Sequence, residues 1–308
     1  MKDSKLLANI IFIIFSFIII LFTDAIIAAL VLGILFATFF KDKANSISKK
    51  ISSYPLQIGI VFLGLTIGLD TLTPIIHDYF IWISLFVIFS FLICYAFSRL
   101  FGLDTNLALL LSSGSAICGA TAMAVVAPLI KAKPQTLLIS LAIIFILNTI
   151  AIILFPIFGS YLNMSAYQFG VFSALAIHDT GSVIGSALQF DSNSVEVAAS
   201  LKVMRTLWLI PLVIVLNYQF NTNKVKNVFP LFIVFFVLAI LISNVINISY
   251  ETILYINTLS KTFIAYGIFI IGLQSSNLDL SSIKTKPLMA AVTVWIVLIP
   301  VAYFIATI

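Results

Sequence analysis

Two short stretches of small and polar residues interrupt a chain that is otherwise a succession of membrane-length apolar runs. One lies at 112–121 and contains Gly114, Ser115, Cys118 and Gly119; the other lies at 176–182 and contains His178 and Asp179. Each falls in the middle of a segment apolar enough to enter a bilayer. Lipid offers no partner for main-chain N–H and C=O groups, so irregular backbone at that depth must line protein or a protein-walled cavity. Aligned at a constant offset, Ala116-Ile117 falls on Ala176-Ile177 and Cys118-Gly119 on His178-Asp179. Paired interruptions in corresponding positions are the strongest sequence pointer to a transporter's binding site.

Composition supports the membrane reading. The chain is 62% hydrophobic and 9% charged, with a mean hydropathy of +1.22, against roughly 25% charged residues in soluble domains. The net charge of +5 does not point to nucleic acid, because the lysines sit in short segments between apolar runs. Cys94 and Cys118 both lie in apolar segments and form no disulfide framework.

Nine runs read as ordinary spans: 6–22, 25–40, 54–70, 80–98, 135–157, 197–217, 229–247, 255–274 and 287–307. The interrupted segments, about 105–130 and 166–190, either cross fully as unwound helices or turn back as re-entrant hairpins. Charge placement favours hairpins. With Lys2 and Lys5 in the cytoplasm, the loops with Lys41, Lys43, Lys49, Lys50, Arg99, Lys131, Lys133, Lys224, Lys226, Lys284 and Lys286 all face inward. Full crossings would turn Lys131 and Lys133 outward.

Symmetry agrees. Gly59 to Leu65, followed by Asp70, resembles Gly267 to Leu273, followed by Asp279, and the two spans run in opposite directions. The expected architecture is an all-α polytopic membrane protein with an inverted-repeat transporter fold of 5+5 elements. The whole chain, 1–308, forms one transporter domain. It comprises an extra N-terminal helix at 1–23, a first repeat at 24–158 and a second, permuted repeat at 159–308.

Three cations stand apart from the loops. Lys261 is marginal, but Lys202 and Arg205 share one face of a span. Intramembrane charges mark ion or substrate pathways unless they snorkel to the surface. His178 could hold a proton near neutral pH. Asp179 could pair with Arg205, or cap the arm starting at Thr180, or do both. The N–H groups of the arm starting near Cys118 would suit an anion, with Gly114 and Gly119 allowing close approach. Close packing through small residues is the alternative use of the glycines.

At these motifs the sequence resembles the YeiH-type family of bacterial inner-membrane proteins, usually labelled sulfate exporters. The resemblance rests on Gly114 to Ala120, His178-Asp179 followed by Val183, and Lys202-x-x-Arg205. Asp179 stands where members of that family generally carry Glu. The resemblance implies a relation to sodium/proton-antiporter-like transporters.

The function expected is therefore secondary-active export of a small anion, with sulfate or a related sulfur oxyanion or organosulfonate as the family label. Gly114, Ser115, Cys118, Gly119, His178, Asp179, Lys202 and Arg205 are the candidate substrate- or ion-binding residues. Expected partners are the anion, membrane lipids, a coupling proton or sodium ion and a second copy of the chain, with no nucleic acid, cofactor or metal. The expected location is the bacterial inner membrane with a cytoplasmic N-terminus. A carrier that binds a cation at Asp179 is the alternative, and a membrane enzyme using His178 and Asp179 as acid and base is a third reading. The hairpin topology has a direct check: a cysteine placed at Lys131 should react with an impermeant thiol reagent only from the cytoplasmic side, and labelling from outside would sink it.

Overall fold

The computed structural model describes residues 10–11, 14–15, 26–51, 54–220, 231–246, 250–274 and 285–308, all of whose regular structure is helical. The expected first span, 6–22, therefore lies largely outside the described residues. Five of the described helices are long and apolar enough to cross a membrane. The chain divides into two compact units, Met1–Thr71 with Leu231–Leu278 and Leu72–Pro230 with Asp279–Ile308.

The first unit contains α1 (Ile26–Phe39), α2 (Lys41–Ile51) and α3 (Tyr54–Gly64), together with the two helices here called α12 (Leu231–Val245) and α13 (Tyr250–Gln274). Glycines set the approach of its helices. A Cβ on Gly33 would lie 2.9 Å from Gly272 Cα, and one on Gly272 would lie 2.8 Å from Gly33 Cα, so α1 and α13 touch backbone to backbone. A Cβ on Gly267 would lie 2.9 Å from Leu56 Cα, and one on Gly59 3.0 Å from Ser260 O. At that second crossing Ser260 Oγ donates to Gly59 O at 2.8 Å. Small residues bring membrane helices close enough for such dispersion and hydrogen-bond contacts.

Two expectations change here. The lysine-rich stretch after α1 is helix rather than loop: α2 buries Ala44 and Ser48 while Lys41, Lys49 and Lys50 stay exposed and Lys43 is half-buried. The span expected at 54–70 stops at Gly64. Asn244 holds the turn that follows, its Oδ1 accepting from Leu69 N at 3.0 Å and its Nδ2 donating to Ile67 O at 3.3 Å.

The second unit carries both interruptions. It contains α4 (Leu69–Leu100, from Leu72 onward), α5 (Thr105–Ala116), α6 (Ala120–Leu129) and α7 (Pro134–Tyr161). These are followed by α8 (Ala166–Ala176), α9 (Thr180–Phe190), α10 (Ser194–Leu207), α11 (Leu209–Phe220) and α14 (Thr285–Thr307). Local signals account for the helix ends. Gly102, at φ +76, closes α4, with Leu103 N donating to Ser98 O and Gly102 N to Arg99 O, the two bonds of a Schellman motif. Asp104 caps α5 through Leu107 N at 3.0 Å. Ser165 and Gln168 form a capping box at the start of α8.

The span expected at 197–217 is present as one membrane-length stretch, Ser194–Phe220, in which α10 and α11 meet at Trp208. Pro211 has no N–H and its ring crowds the carbonyl four residues back, at Leu207, which is where α10 ends.

In both interrupted segments the two helical arms come into contact. The rings of Phe169, near the start of α8, and Phe190, at the end of α9, stack with centroids 4.1 Å apart. A continuous helix would separate those positions by about 30 Å. A Cβ on Gly159 would meet both rings, at 2.5 and 3.0 Å. In the first segment Gly114 lies against the Met123 side chain, with Met123 Cγ 3.2 Å from where a Cβ would stand.

Gly33→Ala should lower the unfolding temperature of the purified protein, because the new methyl meets Phe269 O and the Gly272 backbone, atoms that cannot swing aside. Overpacking of this kind costs about 1–3 kcal/mol; an unchanged melting curve would show that the α1–α13 crossing is looser than described.

Candidate functional site

Each break leaves two kinds of helix end inside the second unit: the C-termini of α5 and α8 and the N-termini of α6 and α9. Helix ends carry main-chain groups without intrahelical partners, carbonyls at one end and N–H groups at the other. Buried, those groups need partners from elsewhere.

At the C-termini the accounting is complete. In α5, Ser113 O accepts from Ile117 N at 3.1 Å and Gly114 O from Gly119 N at 2.9 Å. Ala116 O accepts from Arg205 Nε at 2.7 Å, and Ser115 O accepts from Arg205 Nη2. In α8, Ser173 O accepts from Ile177 N at 3.1 Å. Arg205 Nη1 serves Ala174 O at 2.9 Å and Leu175 O at 2.6 Å. Trp295 Nε1, on α14, donates to Ala176 O at 2.8 Å. Ile177 O takes Lys202 Nζ at 2.8 Å and Arg205 Nη1 at 3.2 Å.

Arg205 is thus a double cap: every guanidinium nitrogen donates to a carbonyl at one of two helix ends. It is 1% exposed, and its charge also lies 5.4 Å from the centre of the Phe86 ring. A cation at the negative end of a helix dipole is favourable, and here one cation serves two such ends.

The N-termini differ from each other. Asp179 caps α9, with Oδ1 accepting from Ser182 N at 2.9 Å and Oδ2 from Ser182 Oγ at 2.6 Å. The helical arm of the first break starts at Ala120, and its N-cap, Gly119, has no side chain with which to cap it. Gly119 takes φ +58, and a Cβ there would sit 3.1 Å from Asp179 Cβ. The two breaks therefore abut at these residues, and glycine is required for both conformation and space.

Asn148, in the middle of α7 and 3% exposed, joins the second break to its neighbour. Its Nδ2 donates to Asp179 Oδ2. Its Oδ1 accepts from the His178 main-chain N–H at 3.1 Å and lies 3.2 Å from His178 Nδ1.

All eight residues singled out from the sequence lie at the breaks or on the helix that caps them. Gly114 and Ser115 occupy the end of α5, Cys118 and Gly119 the first break, His178 and Asp179 the second, and Lys202 and Arg205 the buried face of α10. The pairing considered between Asp179 and Arg205 is not formed. Carbonyls take the guanidinium, and Ser182 and Asn148 take the carboxylate. Snorkelling is likewise excluded, since Lys202 is 0% exposed. His77, beside Asp78, is exposed and far from this chemistry in the sequence. Among the described residues no cluster of His, Cys, Asp or Glu is placed to hold a metal.

Asn148, Trp295 and Ser182 are the participants missing from that set. The available signal for Asn148 was an amide within a long apolar run, which in lipid needs a partner just as an ionised group does.

Comparison with known proteins adds a family. The family model described as "Conserved hypothetical protein 698" matches residues 4–291. A UPF0324 membrane protein of Bacteroides thetaiotaomicron is 34% identical over 88% of this chain and 82% of its own length. One from Vibrio parahaemolyticus is 33% identical over 88% and 89%. A third, from Streptococcus mutans, is 31% identical over 88% and 85%. No solved structure matches the chain.

Arg205→Lys retains the charge but offers one nitrogen in place of three. It should leave several buried carbonyls open and cost about 3 kcal/mol or more, measured as a fall in melting temperature in detergent. Wild-type stability would remove the double-cap role.

Proposed function

The chain belongs to the conserved hypothetical protein 698 family, the UPF0324 membrane proteins, and we propose that it is a secondary-active transporter of a small anion. The observation that carries this reading is the contrast between the two kinds of helix end at the breaks. Negative ends are fully satisfied by Arg205, Trp295 and Lys202, while the α6 N-terminus has no side-chain cap. Amide dipoles without a cap, beside a buried ammonium, form a cradle for negative charge.

Within that cradle Lys202 is the charge that meets substrate. Its ammonium makes one hydrogen bond among the described residues, to Ile177 O, so further N–H groups stay open. Arg205, with each nitrogen already engaged, shapes the site. Gly114, Ser115, Cys118 and Gly119 supply backbone and small side chains, and His178 and Asp179 gate or couple.

The two interrupted segments act as opposed re-entrant hairpins; the Phe169–Phe190 stack and the Gly114–Met123 contact support this. An inverted repeat finds support in the glycine spans. Gly64 packs against α12, where a Cβ would lie 2.8 Å from Phe236 O, and Gly272 packs against α1. The unit with both breaks would move as a body against a scaffold to give alternating access. Export across the bacterial inner membrane, a cytoplasmic N-terminus, a homodimer and a sulfur oxyanion as cargo belong to the same proposal.

Asp179 is the acidic residue at the junction, which is what a carrier coupled to a proton or sodium ion would use. Purified wild type, Lys202→Met and Asp179→Asn can be compared in thermal-shift titrations with sulfate, sulfite, thiosulfate and organosulfonates, and in proteoliposome flux. The anion reading expects Lys202→Met to fold, since replacing a buried ion by an apolar residue is often neutral, and to lose anion stabilisation. Retained stabilisation in Lys202→Met, together with flux abolished in Asp179→Asn, would favour the cation carrier.

A further inference from the structure

One unambiguous donor fixes the hydrogen-bonding state of the second break. The main-chain N–H of His178 can only donate, and it points at one atom of the Asn148 amide, 3.1 Å away. That atom must be the oxygen. The amide nitrogen then faces Asp179 Oδ2, an acceptor, as the structure has it. The same Asn148 oxygen lies 3.2 Å from His178 Nδ1. An amide oxygen cannot donate, so Nδ1 must carry the proton.

The consequence falls on the other ring nitrogen. In the neutral ring Nε2 is a bare lone pair. The ring is 2% exposed, and among the described residues nothing donates to Nε2. Two of the nearby donors are committed elsewhere: Trp295 Nε1 to Ala176 O and Arg205 to the helix-end carbonyls. Trp295 lies beside the ring, 6.1 Å between centroids. With no protein donor among the described residues, Nε2 is open to a ligand that brings its own donor.

We infer that Asn148 holds His178 in the Nδ1–H form, and that the site therefore selects a small anion carrying its own hydrogen-bond donor over an isosteric anion without one. This rests on the anion-transport reading and narrows its substrate class. Negative oxygens of the ligand face Lys202 and the α6 amides, while an O–H or N–H of the same ligand donates to His178 Nε2. An anion with acceptors only sets lone pair against lone pair at Nε2 and leaves the nitrogen unpaired. Asn148 is a positioning residue, acting through the ring.

Isosteric probes separate these cases without any substitution. Hydrogencarbonate and nitrate are planar monoanions of one shape, with and without an O–H; phosphate in its protonated forms and sulfate are the tetrahedral pair. Binding of all four to the purified full-length protein at one neutral pH, by isothermal titration, should favour the donor-bearing member of each pair by at least about tenfold, since a buried acceptor rejects a ligand that cannot pair with it. His178→Gln presents either an oxygen or an amide N–H and should bring the ratio within each pair close to unity while anions still bind. Nitrate and sulfate binding as tightly as their partners to wild type would overturn the selectivity and leave anion transport standing. Absence of binding by all four would overturn both. A preference that survives unchanged in His178→Gln would overturn the role of the ring.

Discussion

Arg205 is the interaction on which the second unit depends. Breaking a helix within a buried core exposes the carbonyl end of its first arm, and this protein does so twice, at Ala116 and Ala176. One guanidinium answers both: its planar fork reaches Ser115 and Ala116 on one side and Ala174, Leu175 and Ile177 on the other. A lysine could not span the two, because its donors radiate from a single nitrogen. The position of α10, which carries the arginine, is set by the same requirement, and Trp295 completes the set from α14.

The first unit solves a different problem by other means. Its helices meet where glycines remove side chains, at Gly33 with Gly272 and at Gly267 with Leu56. Packing of that kind depends on dispersion over a close contact, joined at one crossing by the Ser260–Gly59 hydrogen bond. Polar side chains also hold a helix end here, as Asn244 and Ser243 do beside the turn after α3.

Much of this was legible in the sequence because lipid makes backbone irregularity expensive. Both breaks, the capping role of Asp179 and the burial of Lys202 and Arg205 follow from that cost. What the sequence could not supply was the pairing. Nothing in a linear pattern says whether a buried cation meets a carboxylate, a carbonyl or a ligand, and carbonyls leave no compositional trace. Asn148 escaped for a related reason, since a lone amide leaves mean hydropathy almost unchanged although its partners lie 30 and 31 residues away. The lysine-rich α2 was misread because loop and amphipathic helix share a composition.

The reach of Arg205 also constrains how the protein can be made. Its acceptor Ala116 lies 89 residues earlier in the chain. At a synthesis rate of about 5–20 residues per second, α5 waits roughly 4–18 s for the side chain that satisfies its end. Through that interval the carbonyls at the end of α5 lack the donors that satisfy them in the folded protein. The carbonyls at the end of α8 wait for the same side chain, so both breaks are completed together when α10 arrives.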